Sequence, residues 1–402
     1  MAGLALGVAV IGHSFMGKAH SLGWRNVNAA FDTPPVVMRV LVGTNGAAVE
    51  TSARRYGWKE SSTDWRATIL REDINIVDIC TPGALHAEIA LFALAHGKHV
   101  LVEKPLANSV PEAQAMATAA REAAETGVVS MLGFNYRRVP ALALARSMVA
   151  EGKLGEIRQL NLRYYQDWLS DDQSPMSWRL RKQDAGSGAL GDLGSHAVDQ
   201  VRFLTGVEVT SVSATSRTFV TRRPGPRGEE EVSVDDAMWS TLQLENGAVA
   251  SVEATRMATG RKNALRIEMY GSLGALSFDL ESLNHLQVYS RDAPAGEQGF
   301  RTILVTEPEH PYLDGWWPTG HVLGWADTFT HELRDFLLAI TDGTTASPSF
   351  DDGLEVQRVL AAIEQSAAAG GAGVSMSAEP PGAQRHGTGE QRGAEALLPG
   401  GL

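Results

Sequence analysis

The sequence predicts an α/β chain whose first third is a doubly wound parallel sheet and whose remainder is a strand-rich α+β domain. Three observations carry this. Apolar runs of strand length, from Ala5, Met38, Ile76 and His99, alternate with helical stretches, as in a sheet covered on both faces. The first run empties into a glycine turn that opens a helix, the order of a dinucleotide-binding βαβ unit. From Ile157 the pattern changes to strand periodicity broken by hairpin signals such as Glu245-Asn246-Gly247.

The turn is Gly12-His13-Ser14-Phe15-Met16-Gly17. Gly12 is placed for the tight bend and Gly17 for close helix–strand packing. Ser14 stands where G-x-G-x-x-G has its middle glycine, so its hydroxyl is available to a phosphate oxygen. The second strand, Met38 to Val42, ends in Gly43-Thr44-Asn45, where a ribose would be met. Neither the acid usual for NAD nor an arginine usual for NADP stands at that tip, so both cofactors remain open, with NAD favoured. A helix from Ala47 to Tyr56, a loop through Asp64-Trp65, a strand from Ile76 to Cys80 and a helix from Ala87 to His96 follow. The next strand begins at His99 and is stopped by Pro105, which leaves Glu103 and Lys104 at its carboxyl end, the ligand edge of a parallel sheet. A helix from Ser109 or Pro111 to Thr126 and a strand from Val128 to Gly133 complete a nucleotide domain over residues 1–133.

Residues 134–369 form the second domain. It starts with a helix from Pro140 to Glu151 and continues with strands from Ile157, Val207, Ala237, Ala248, Asn263, Gly274 and Leu286. Arg222 to Glu231 reads as a solvated, mobile loop. Pro308 to Trp325, rich in aromatic residues, reads either as a substrate loop or as a loop pinned by packing; helices follow at Thr328–Ile340 and Asp352–Ala368. Residues 370–402 turn to Gly, Ala, Pro and Gln and read as a disordered tail. Asp192 and His196 lie four apart after a glycine-rich loop, so a helix there would present both on one face. No third ligand accompanies them, and no metal is expected.

A net charge of -12 argues against nucleic-acid and anionic-membrane partners. The single Cys80 cannot form an internal disulfide and, within an apolar run, reads as a structural thiol in a reducing, cytoplasmic setting. The apolar start is read as a strand, not as a signal peptide.

The turn ending Phe15-Met16-Gly17 with His20 beyond it, Thr81-Pro82 with His86, Glu103-Lys104-Pro105, and Gly186-Ser187-Gly188-Ala189-Leu190-Gly191-Asp192-Leu193-Gly194-Ser195-His196 resemble, in order and spacing, the Gfo/Idh/MocA family of nicotinamide-dependent sugar and polyol dehydrogenases. Phe134-Asn135-Tyr136-Arg137-Arg138, Gln166-Asp167-Trp168 and Ser177-Trp178-Arg179 resemble its glycoside-oxidising members. Gly83 departs from the family's usual asparagine. The resemblance implies an N-terminal Rossmann domain, and behind it a C-terminal domain built on one large, mostly antiparallel sheet often used for subunit pairing, hence a homodimer or homotetramer. It implies oxidation of a secondary hydroxyl of a sugar, anhydrosugar, glycoside or cyclic polyol by hydride transfer to NAD or NADP. His196 would be the base, Asp192 its partner or the substrate's, and Lys104 the contact to the reacting oxygen. Gly12, Ser14, Phe15, Met16, Gly17, Thr44, Asn45, Thr81, Pro82, His86 and Glu103 would meet the cofactor, and Asn135, Arg137, Asp167, Trp178 and Arg179 the sugar. Asp199, three residues after His196, would hold the helix or His196. An NAD-retaining glycosidase acting by oxidation and elimination, and a non-catalytic ligand sensor, are the alternatives.

Overall fold

The computed structural model describes residues 5–226 and 228–376. In the first region the alternation of the sequence becomes six parallel strands: β1 (Leu6–Ile11), β2 (Val36–Val42), β3 (Glu60–Ser62), β4 (Ile76–Ile79), β5 (His99–Glu103) and β6 (Ser130–Gly133), in the order β3-β2-β1-β4-β5-β6. β3 lies where a loop was expected. Its Glu-Ser-Ser sequence has no strand signature, and pairing with β2 makes it a strand. The helices are α1 (Phe15–Ala30), α2 (Gly46–Tyr56), α3 (Trp65–Ile69), α4 (His86–Ala95) and α5 (Val110–Ala124). Asn45 and Ser109 cap α2 and α5 by accepting from the backbone N–H three residues on. The strand order reverses between β1 and β4, so the crevice for a ligand opens at their carboxyl ends, at Gly12 and Thr81.

The second sheet has nine strands: β7 (Ile157–Tyr165), β8 (Val209–Arg217), then, past a separate hairpin of β9 (Arg222–Gly225) and β10 (Gly228–Glu231), β11 (Ala237–Leu244), β12 (Val249–Thr255), β13 (Ala264–Gly271), β14 (Gly274–Asp279), β15 (His285–Ser290), β16 (Arg301–Leu304) and β17 (Val374–Ser375). Their order is β16-β15-β14-β13-β7-β12-β11-β8-β17, antiparallel except where β7 runs alongside β12. Alternation from Met238 to Leu244 along β11 buries one face and leaves the other to solvent. The remaining helices are α6 (Pro140–Ala150), α7 (Lys182–Ala185), α8 (Ser195–Thr205), α9 (Asp327–Asp342) and α10 (Phe350–Ala368); α6, α8 and α10 cover the buried face. α9 instead packs on α1, and its Leu333, Phe336 and Leu337 join Val8, Val10 and Trp24 in the core of the first sheet.

Two expectations change. Arg222 to Glu231 is the β9–β10 hairpin, with Arg223 opposite Glu230, and Arg223 is fully buried: its guanidinium donates to the carbonyl oxygens of Leu169 and Asp171 at 2.8 and 2.7 Å. Residues 370–376 of the expected tail are tied to the second sheet: β17 pairs with the edge strand β8, and Ala372 O accepts from Ser366 Oγ. Residues 377–402 of that expected tail lie outside the described residues.

Candidate active site

The carboxyl ends of β1, β4 and β5 and the opening of α8 face one another across a cleft of about 1280 Å³. On the nucleotide side, Gly12 has φ +112°, and a Cβ there would press on the carbonyl of Cys80. A Cβ at Gly17 would overlap Gly12 O, so this residue sets the approach of α1 to β1 and does not itself line the cleft. Ser14 occupies the N-cap position of α1 without a capping side-chain bond, leaving its hydroxyl and the first N–H groups of a 16-residue helix for an anion. Thr81 lines the cleft with a buried, unpartnered Oγ1. A glycine cradle, a free helix N-terminus and an orphaned hydroxyl fit a dinucleotide. Phe15, Met16, Thr44, Pro82 and Glu103 line the same wall. Asn45 is engaged in capping α2. His86 lines the cleft but is buried, its ring held between the carbonyl oxygens of Thr81 and Pro105 at 2.9 and 3.0 Å, which makes it a brace under the turn. His13, Gly43 and Trp65 also line the wall and were missed; a Cβ at Gly43 would run into the His13 ring, a close approach with no motif in the sequence.

On the opposite side, Asp192 sits in a π-helical turn, Leu190–Gly194, that runs into α8. The Lys104 amine reaches across and donates to the Asp192 carbonyl oxygen at 2.8 Å and to its Oδ1 at 3.2 Å. Burial raises the Asp192 carboxyl, but Lys104, Arg256 and Arg179 outweigh it and hold the group below its ordinary value. His196, 6% exposed, lines the cleft on the same side. Its ring packs on Tyr136, Tyr164 and Phe134, with centroids at 4.5, 5.8 and 5.8 Å, and its Nδ1 has no hydrogen-bond partner among the described residues. Burial, helped by the Lys104 charge, pushes its pKa well below 6.5. The structure therefore gathers an ammonium, a carboxylate and a neutral imidazole at one place beside the dinucleotide turn.

Of the five further residues expected at the sugar, Asn135, Trp178 and Arg179 line the cleft. Arg137 does not: it is buried, and its Nε donates to both Asp199 oxygens at 3.0 Å. That pair also removes Asp199 from His196, since a buried guanidinium needs its carboxylate more than a neutral ring does. Asp167 is turned to Lys262 Nζ, 2.6 Å away, and to Gly260 N. The wall that sequence reasoning missed is a hydrogen-bonded strip: Tyr136 OH meets Tyr164 OH at 2.7 Å, Tyr164 OH and Gln166 Nε2 donate to Asn263 Oδ1, and Trp168 Nε1 donates to Gln166 Oε1. Arg256, beside this strip, is buried; it donates to the carbonyl oxygens of Arg179 and Asp235 and lies over the Trp168 ring at 5.4 Å. From the aromatic loop only Trp325 reaches the cleft, where it stacks on Phe15 at 5.5 Å and 7°. Tyr312 and Trp316 pack instead on the buried His331, which pins that part of the loop.

Residues 6–132 match the oxidoreductase family with an NAD-binding Rossmann fold, and residues 142–277 match the GFO/IDH/MocA C-terminal domain. The chain belongs to the Gfo/Idh/MocA oxidoreductase family. This Gfo/Idh/MocA chain is 42% identical to levoglucosan dehydrogenase of Pseudarthrobacter phenanthrenivorans, over 90% of its own length and 96% of the relative's. It superposes on an oxidoreductase domain protein from Kribbella flavida with a TM-score of 0.92 at 49% identity, covering 94% of this chain and 100% of that one. A levoglucosan dehydrogenase in complex with NADH and levoglucosan superposes with a TM-score of 0.89 at 42% identity, covering 92% and 99%. The protein is an NAD-binding oxidoreductase acting on sugar or polyol hydroxyls.

Proposed function

We propose that the protein oxidises a secondary hydroxyl of an anhydrosugar or glycoside of the levoglucosan type, with Lys104, Asp192 and His196 as the catalytic residues. The observation that carries this reading is their convergence, the amine 3.2 Å from the carboxylate, beside the glycine turn. Bound nicotinamide supplies the hydride acceptor. The Lys104 amine holds the hydroxyl oxygen and steadies its developing negative charge. His196, neutral in its buried setting, takes the hydroxyl proton, and Asp192 orients the hydroxyl against the amine. Trp178 and Trp325 offer flat faces to the C–H faces of a sugar ring, and Asn135 and Arg179 bind its remaining hydroxyls. Gly12, Ser14, Phe15, Met16, Thr44, Thr81, Pro82 and Glu103 hold the cofactor.

A screen of anhydrosugars, glycosides and inositols with NAD and NADP, read as reduced cofactor by absorbance, tests the substrate. Strongest turnover on levoglucosan-like rings is expected; turnover of inositols alone would overturn it, as would release of free sugar without net NADH. Lys104→Met should lower kcat at least 10²-fold, the lower end for loss of a positioned proton-transfer or charge-stabilising group. We further propose a homodimer or homotetramer paired through the open face of the second sheet, where Trp239 and Tyr270 stand exposed among charged residues, and a cytoplasmic location consistent with the unpaired Cys80 thiol. Light scattering coupled to size-exclusion chromatography checks the oligomer.

A further inference from the structure

We infer that His20 is a positioning residue for Lys104, acting through Glu103, and that it ties the dinucleotide turn to the reacting amine. The inference rests on Lys104 being the contact to the reacting hydroxyl.

His20 lies in the second turn of α1, immediately behind the glycine turn, and is fully buried. Its Nδ1 is 3.0 and 2.9 Å from the two oxygens of Asp78 on β4, and its Nε2 is 3.0 Å from Glu103 Oε1 at the end of β5. A neutral imidazole has one N–H to give, and here both nitrogens face ionisable carboxylates, so the ring carries both protons. Burial opposes that charge, but Asp78 and its neighbours prevail and hold the pKa well above 6.5. Asp78 is fixed from its other side by Trp24 Nε1–H at 2.8 Å. The second oxygen of Glu103 accepts the backbone N–H of Lys104 at 3.1 Å. An unbroken chain of bonds thus runs from α1, across β4 and β5, to the peptide from which the Lys104 side chain departs for Asp192.

The groups facing His20 are Trp24 on its own helix, Asp78 and Cys80 from β4 and its end, Glu103 from β5, and Phe329 and Glu332 from α9. His20, Asp78 and Cys80 bring three potential ligand atoms within 4.8 Å of one another. The imidazole nitrogens, however, stand at hydrogen-bond distance from carboxylates, and this proton-held arrangement accounts for the cluster. The consequence for chemistry is geometric: a misplacement of about 1 Å in a reacting group costs on the order of 10²-fold in rate. The linkage also makes Lys104 alignment dependent on the helix whose N-terminus holds the cofactor phosphates.

Two substitutions separate the halves of the chain. In His20→Gln the terminal amide reaches about as far as Nε2 and keeps the bond to Glu103; in His20→Asn it reaches about as far as Nδ1 and keeps only the bond to Asp78. Both lose the same charge and one bond, so their melting temperatures should fall alike. The expected result is kcat within about threefold of wild type for His20→Gln and at least tenfold down for His20→Asn, with NADH dissociation constants, titrated by its fluorescence, unchanged within twofold. Equal kcat in the two variants, or a loss of NADH affinity matching the loss of kcat, overturns the inference. Should neither variant fold, ¹⁵N-histidine NMR of the wild-type chain decides: a His20 ring with a bare nitrogen at pH 7 removes its basis. A fully active Lys104→Met would instead sink the catalytic reading of the lysine, a separate outcome.

Discussion

A buried imidazole beside an ammonium holds its proton poorly, and that fact gives His196 its chemistry. Its pKa, pushed well below 6.5 by burial and by Lys104, leaves the ring ready to accept a proton throughout the neutral range. The acid limb of kcat/KM should accordingly fall below pH 6.5, and a limb at or above that value would contradict a neutral His196 as the base. His196→Asn should cost about 10²–10⁴-fold in kcat, the range for loss of a general base, while leaving the NADH dissociation constant unchanged. Cys80 takes no such part: burial and the neighbouring Asp78 raise its thiol, which keeps it protonated and unreactive. Sequence spacing could place Asp192 and His196 together because they are four apart on one backbone segment. It could not reveal that Arg137 belongs to Asp199, since that pair is 62 residues apart and an arginine next to an aromatic motif reads equally well as a sugar contact.

At the scale of elements, the β9–β10 hairpin shows how a segment can look solvated and still carry buried structure. Its composition is charged; its register puts Arg222 opposite Glu231 and Arg223 opposite Glu230, and Arg222 pairs across the strands with Glu229 at 3.3 Å. Arg181 adds an ion pair to Glu230 at 2.6 Å. Arg223 then passes beneath the hairpin and clamps the loop backbone at Leu169 and Asp171, between Trp168 and Trp178, both of which line the cleft. Arg223→Met would leave the Leu169 carbonyl without its donor and the Asp171 carbonyl with only the Ser174 N–H, at a cost of about 1–3 kcal/mol. The expected kinetic signature is a several-fold rise in KM for the sugar with kcat and NADH affinity nearly kept; an unchanged KM would detach the hairpin from substrate binding. The elements read well from sequence were those stopped by local chemistry: Pro105 after β5, Ser109 at the cap of α5, Gly57 after α2. β3 and β17 were illegible because both are strands only by virtue of the neighbour they pair with.

For the whole molecule, the decisive contact is α9, a helix late in the chain that closes the core of the first sheet and carries an acid into it. Glu332 is fully buried, and neither of its oxygens has a hydrogen-bond partner among the described residues. Burial pushes its carboxyl up to about 8, against the pull of Arg138 and His20. Because the folded chain keeps a proton that the unfolded chain releases near 4.5, this group contributes stability at low pH that is lost as pH rises toward 8. His20, with its raised pKa, loses stability in the same direction above 6.5. His196 and His331, the latter lowered to about 4, act oppositely: they are buried neutral, so stability falls as pH drops from 6.5 toward 4. Below pH 6.5 the two lowered histidines outweigh Glu332, and above it Glu332 and His20 act together, so these four groups place the melting-temperature maximum near pH 6.5. Glu332→Gln should leave melting at pH 4 almost unchanged, since the acid is largely protonated there in both the folded and the unfolded chain. At pH 9 it should raise Tm by at least about 1 °C, the shift that 1 kcal/mol produces in a chain of this length. Scanning calorimetry at the two pH values checks this, and an equal Tm at pH 9 would mean that Glu332 finds its counter-charge in Arg138 and that the alkaline loss comes from His20 alone.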